Sequence, residues 1–135
     1  MNNILTLVLY MTLLTWLTIV VASILRTQAW TLKGITFACG NREDLPAETP
    51  LAGRATRAAS NTVDNFVLFV AIALVAHLTV PSSDLVLRGA EIFSWSRLLY
   101  VPAYYAGIKY MRTVIWAVGV GGMAMMIVAI LRTQS

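Results

Sequence analysis

Twenty-two consecutive residues, Ile4 to Leu25 (ILTLVLYMTLLTWLTIVVASIL), carry no charge. As a helix rising 1.5 Å per residue the run reaches roughly 33 Å, enough to cross a hydrocarbon core of about 30 Å. The head Met1-Asn2-Asn3 has no basic residue, and the run exceeds the roughly 7–15 apolar residues of a secretory leader. A retained membrane helix is therefore expected. Three further segments follow. The second is apolar from Phe66 to Val80 and is expected to begin as a helix near Leu51, because nothing after Pro50 breaks it. The third extends from about Leu85 to Tyr110 and contains Glu91, Arg97 and Pro102; the fourth is Thr113 to Leu131, again uncharged. Together they predict an all-α membrane protein, a four-transmembrane-helix up-down bundle forming a single domain over residues 1–135, with helices at about 4–25, 51–80, 85–110 and 113–131.

Composition excludes the competing classes. Hydrophobic residues make up 59% and charged residues 12%, with a mean hydropathy of +0.75. A soluble domain carries about 25% charged residues, and a small one has the most surface to cover. Disorder is excluded by the same apolar content. The net charge is +4, yet the ten basic residues are dispersed among apolar runs rather than gathered in a stripe, so nucleic acid is not an expected partner. One cysteine (Cys39) and one histidine (His77) provide neither a disulfide framework nor a zinc site, so no metal is expected.

The single long connection, Arg26 to Pro50, contains Pro46 and the acidic pair Glu43-Asp44 and reads as an ordered or semi-ordered loop; Pro81 to Asp84 reads as a tight turn. Arg26, Lys33, Arg42, Arg54, Lys109 and Arg112 lie near loops one and three, against Arg88 and Arg132 on the other side. By the positive-inside rule, loops one and three are expected to be cytoplasmic and both termini outside. In the fourth helix Gly119, Gly121 and Gly122 are expected to allow close helix packing. The echo of ILRTQA (Ile24 to Ala29) in ILRTQS (Ile130 to Ser135) has no matching surroundings and reads as chance.

Polar residues within the helices are the candidate site. Arg57, Asn61 and Asp64 recur at i, i+4 and i+7, within roughly 60° of one helical face, with Arg54 one turn earlier. Cations, an amide and a carboxylate on one stripe suit a zwitterionic ligand. Arg97, Tyr100 and Tyr104 likewise share a face of the third helix, and Arg97 lies too deep to belong to an interfacial aromatic belt. Measured from the intervening turn, Asn61 and Tyr104 are both roughly 32 Å away, so the two stripes are expected to meet at one level. Arg112 opens the fourth helix near that level; a guanidinium beside a thiol stabilises the thiolate.

On R-x-x-x-N-x-x-[E/D] at Arg57, Asn61 and Asp64, R-x-x-Y-x-x-x-Y at Arg97, Tyr100 and Tyr104, and then Arg112, the chain resembles the MAPEG superfamily, the membrane-associated proteins in eicosanoid and glutathione metabolism. Its length and the AGIKYMRTVIW segment are similar to short bacterial members, which implies a bacterial inner-membrane location. The resemblance implies a homotrimer with glutathione as co-substrate in clefts between subunits. Arg57, Asn61, Asp64, Arg97, Tyr100 and Tyr104 are thereby implied as glutathione-binding residues and Arg112 as the catalytic thiolate stabiliser. Asp64 stands where the family more often has glutamate, and Asn65 where several members have tyrosine.

Three functions compete. The first is a glutathione transferase, or a peroxidase, acting on a lipophilic electrophile that arrives from the membrane lipids. The second is a non-catalytic lipid-binding or scaffold protein of the same architecture. The third is a small multidrug transporter, for which the first helix lacks the necessary intramembrane carboxylate.

Overall fold

The computed structural model describes residues 3–135. Met1 and Asn2, on which the argument against a leader partly rests, lie outside them. Five helices follow in order: α1 (Ile4–Thr27), α2 (Leu32–Cys39), α3 (Pro50–Thr79), α4 (Asp84–Tyr105) and α5 (Lys109–Gln134). The expectation of four is corrected by α2, which forms inside the long first connection. Thr31 caps it, its hydroxyl accepting from the Gly34 amide at 2.9 Å and donating to the Gln28 carbonyl at 2.9 Å. The eight residues of α2 carry no apolar run long enough to stand out in the sequence, so the local cap is the only signal.

The long helices begin where short polar side chains supply the missing hydrogen bonds. Asn3 caps α1, Thr49 caps α3 with Pro50 in its first turn, and Ser83 caps α4. α1 ends at Gln28, whose φ of 54° and ψ of 48° place it in the left-handed region that often closes helices. Relative to the expected bounds, α1 runs two residues longer and α4 stops five residues earlier, just past Pro102, where Ala106 and Gly107 turn the chain into α5.

Three helices, α1, α3 and α5, are long and apolar enough to cross a membrane. The fourth long helix, α4, is not apolar enough by that measure: Asp84, Arg88, Glu91 and Arg97 interrupt it. Three of the four expected spans are therefore apolar enough to cross a membrane.

Within the bundle α1 packs mainly on α3, and α4 mainly on α5; α3 and α4 touch at fewer positions despite the tight turn joining them. The core combines Leu7 and Met11 of α1, Phe69 and Ala73 of α3, Ala90 and Phe93 of α4, and Met123 and Met126 of α5. Phe69 and Phe93 stack with centroids 4.4 Å apart and join the two helix pairs. Buried hydroxyls of Thr15, Thr62 and Ser94 bond back to carbonyls one turn earlier, so these polar groups are satisfied within their own helices.

The α4–α5 pair is close because two glycines cross. A Cβ on Gly89 would lie 2.6 Å from the Gly122 carbonyl oxygen, and one on Gly122 would lie 2.6 Å from the Gly89 oxygen. Gly119 serves the same contact next to Ser96 and Arg97, whereas a Cβ on Gly121 would meet open space. The glycine expectation thus holds at two positions, and Gly121 is its exception.

Candidate functional site

At the end of the bundle where α3 begins and α4 ends, polar side chains of three helices form a connected series. Arg97 of α4 is 1% exposed, and its Nη1 donates to Asn61 Oδ1 of α3 at 2.9 Å. The Asn61 oxygen is held from behind by Asn65, whose Nδ2 donates to it at 3.3 Å and to the Asn61 carbonyl at 2.9 Å. The Arg97 guanidinium lies 4.6 Å from the Tyr100 ring centroid and 5.7 Å from that of Phe93. Such cation–aromatic contacts stabilise a desolvated cation by about 2 kcal/mol. Tyr100 in turn packs against Tyr104 with centroids 5.5 Å apart, and the Arg112 guanidinium of α5 lies 4.9 Å from the Tyr104 centroid. Asn61, Arg97, Tyr100, Tyr104 and Arg112 are therefore contiguous.

The two polar stripes touch through Asn61 and Arg97. The partner Asn61 takes on α4 is the Arg97 guanidinium, at the end of a long side chain. Two donors of Arg97, Nε and Nη2, are buried and have no hydrogen-bond partner among the described residues. A buried, incompletely paired guanidinium is costly.

The other two residues of the α3 stripe stand apart from this series. Arg57 and Asp64 are both exposed and form no hydrogen bond or ion pair with another described residue. Asp64 instead lines a groove of about 380 Å³ between α1 and α3, with Ser23, Arg26, Arg42 and Ser60. One face of α3 thus contributes Asn61 to α4 and Asp64 to the side facing α1.

Several residues here escaped the sequence reading. In the sequence Arg26 and Arg42 stand out only as loop charges. Arg26 donates to the Pro46 carbonyl at 2.8 Å and lies 4.0 Å from Glu48, while Arg42 donates to Ser23 Oγ at 3.1 Å. Their signal is spatial alone, since about twenty residues of chain separate each from its partner. Arg54, noted on the same face as Asn61, ties the start of α3 to the end of α4: its Nε donates to the Tyr105 carbonyl at 3.0 Å, a cation closing a helix C-terminus. Asn65 is 7% exposed and acts only through Asn61.

Cys39 is exposed on α2, and His77 lies at the opposite end of the bundle, by the turn between α3 and α4. Among the described residues no three His, Cys, Asp or Glu side chains gather as metal ligands.

The MAPEG family model matches residues 3–132, nearly the whole chain. The chain belongs to the MAPEG family. No curated protein and no solved structure matches it. Membership, with three helices apolar enough to cross a bilayer, makes this MAPEG protein an integral membrane protein. It also ties the chain in general terms to membrane glutathione or eicosanoid metabolism.

Proposed function

We propose that this MAPEG protein is a glutathione-dependent transferase for lipophilic electrophiles, built as a homotrimer, with α4 as a fourth membrane crossing. The observation that carries the reading is the pair of guanidiniums, Arg97 and Arg112, set on the adjoining rings of Tyr100 and Tyr104. Arg97 keeps two donors for a ligand, and Arg112 is only half-buried. The donor set fits a tripeptide with two carboxylates, an amine and a thiol: fixed cations and amide groups are present, and Asp64 supplies an anion nearby.

Glutathione supplies the nucleophile, a thiolate. The chain's own residues do the rest. Asn61, oriented by Asn65, holds Arg97 in place, and Arg97 binds carboxylate oxygens in a site that excludes water. Arg112 keeps the sulfur unprotonated near neutral pH by placing positive charge beside it. Tyr104 packs on that guanidinium and restricts its orientation. The exposed, unpaired state of Arg57 and Asp64 within one chain supports a site completed by a neighbouring subunit. For the fourth crossing, α4 has 22 residues, roughly 33 Å as a helix, and it lies along α5 through the glycine crossing. Its charges resemble those of intramembrane helices that face a bundle interior or a functional cavity.

The test is stopped-flow ultraviolet difference spectroscopy of the detergent-purified protein with glutathione. A saturable thiolate absorbance at neutral pH, absent in Arg112→Ala with folding retained, supports the reading. Absence of both the signal and calorimetric glutathione binding would overturn it in favour of a non-catalytic membrane binding protein.

A further inference from the structure

A groove outside this site lies on the outer side of the α4–α5 pair. It has a volume of about 630 Å³ and is mostly apolar, lined by Ile92, Leu99, Val114, Val118 and Met125. On α4 its wall follows Arg88, Glu91, Trp95 and Leu99, spaced at i, i+3, i+7 and i+11, one stripe of a helix. The Gly89–Gly122 crossing draws the two backbones together beneath it, and the larger side chains splay outward to form its walls. Trp95 is 65% exposed in it, and the face has no protein cover within the chain.

The groove has one polar end. Arg88 and Glu91 stand one turn apart near the start of α4; beyond them the α4 wall is Ile92, Trp95, Ser96 and Leu99, and the facing α5 wall, from Val114 to Met125, is apolar at its lining positions and extends roughly 16 Å. That length is about half of a hydrocarbon core of roughly 30 Å, the depth of a single leaflet. A cation and an anion at one end of this apolar trough match a ligand that carries both charges on one head and a long chain beside it.

We infer that the α4–α5 groove is a binding site for a zwitterionic phospholipid whose head bears a primary ammonium, a phosphoethanolamine lipid. The phosphate accepts from the Arg88 guanidinium, which offers several donors in a planar fork. The ammonium donates to Glu91, which is already engaged within the chain but, as a carboxylate, has lone pairs for more than one partner. One acyl chain lies in the trough against Trp95, Leu99 and Val118. Charge complementarity selects this head over the alternatives. A phosphoglycerol head leaves Glu91 facing an anion, and a phosphocholine head carries no N–H to donate. The site is independent of glutathione, because it lies on the far side of α4 from the Asn61–Arg97 contact and shares no residue with it.

The experiment uses full-length protein with Trp16, Trp30 and Trp116 replaced by phenylalanine, leaving Trp95 as the single reporter. It is reconstituted into phosphocholine vesicles doped with lipids brominated on the acyl chain. The expected result is quenching that saturates at low mole fraction of brominated phosphoethanolamine lipid, with at least threefold lower half-saturation than brominated phosphoglycerol or phosphocholine lipid. Arg88→Gln and Glu91→Gln, each checked for retained helicity and oligomer size, should both abolish that preference while leaving non-saturating quenching. Equal, linear quenching by all three head groups would show ordinary annular contact and overturn the proposal. So would a Trp95 that no brominated lipid quenches, which would mean that a second protein surface covers the groove. Neither result depends on turnover, so a failure here is distinct from a failure of the transferase reading.

Discussion

Replacing Asn61 by alanine removes the one side-chain acceptor that the buried Arg97 guanidinium has among the described residues. The bond is short, at 2.9 Å, and its donor is charged and 1% exposed. A hydrogen bond to a charged group contributes about 1.5–3 kcal/mol, and the donor left behind loses its compensation as well. For a chain of this size, each kcal/mol moves the unfolding midpoint by about 4 °C, so Asn61→Ala is expected to lower it by about 6–12 °C. The assay is tryptophan-monitored thermal unfolding in detergent at a fixed scan rate, since membrane proteins can unfold irreversibly. The decisive part is the double-mutant cycle with Arg97→Met, which keeps an unbranched chain in the α4 core and removes the charge. Asn61→Ala should cost little further once Arg97 is gone, only its 3.3 Å contact with Asn65, giving a coupling of about 1.5–3 kcal/mol. Additive losses in the double mutant would refute the view that Asn61 acts by holding Arg97.

Three further outcomes are expected. Arg112→Ala should lose glutathione-conjugating activity towards a lipophilic electrophile by at least tenfold without a large shift in melting, because Arg112 is half-buried at a helix start; unchanged turnover removes it from the mechanism. Gly122→Ala should destabilise the bundle by about 1–3 kcal/mol, since its Cβ meets the Gly89 oxygen at 2.6 Å, whereas Gly121→Ala, facing open space, should be neutral or stabilising by up to about 1 kcal/mol from helix propensity. Equal melting shifts at the two glycines would contradict the close crossing. Arg54→Gln should loosen the α3–α4 end and raise hydrogen exchange at the amides of Ala106 and Gly107, which close the end of α4; protection unchanged from the wild type would show that the Tyr105 carbonyl does not depend on this cation.

Much of this architecture was legible because it is written in local patterns. The charge-free runs of α1 and α5 announce helices of membrane length. The stripe spacing of Arg97, Tyr100 and Tyr104 also placed three neighbours on one face, and the rings of Tyr100 and Tyr104 do pack together. These features depend on the helical repeat alone, which neighbouring residues set among themselves.

What only the tertiary structure decided is who faces whom. Sequence distance from a turn put the two stripes at one level, but which side chains pair across them, Asn61 with Arg97, is decided by how α3 and α4 pack. One stripe on α3 divides between two neighbours, Asn61 towards α4 and Asp64 towards the α1 groove, because adjacent helices share a face unequally. Gly121 and Gly122 are indistinguishable as letters, yet one faces open space and the other touches a backbone, since 100° of rotation separates them. The helical period determines which residues can act together; helix pairing, set by packing between segments distant in the chain, determines which of them do.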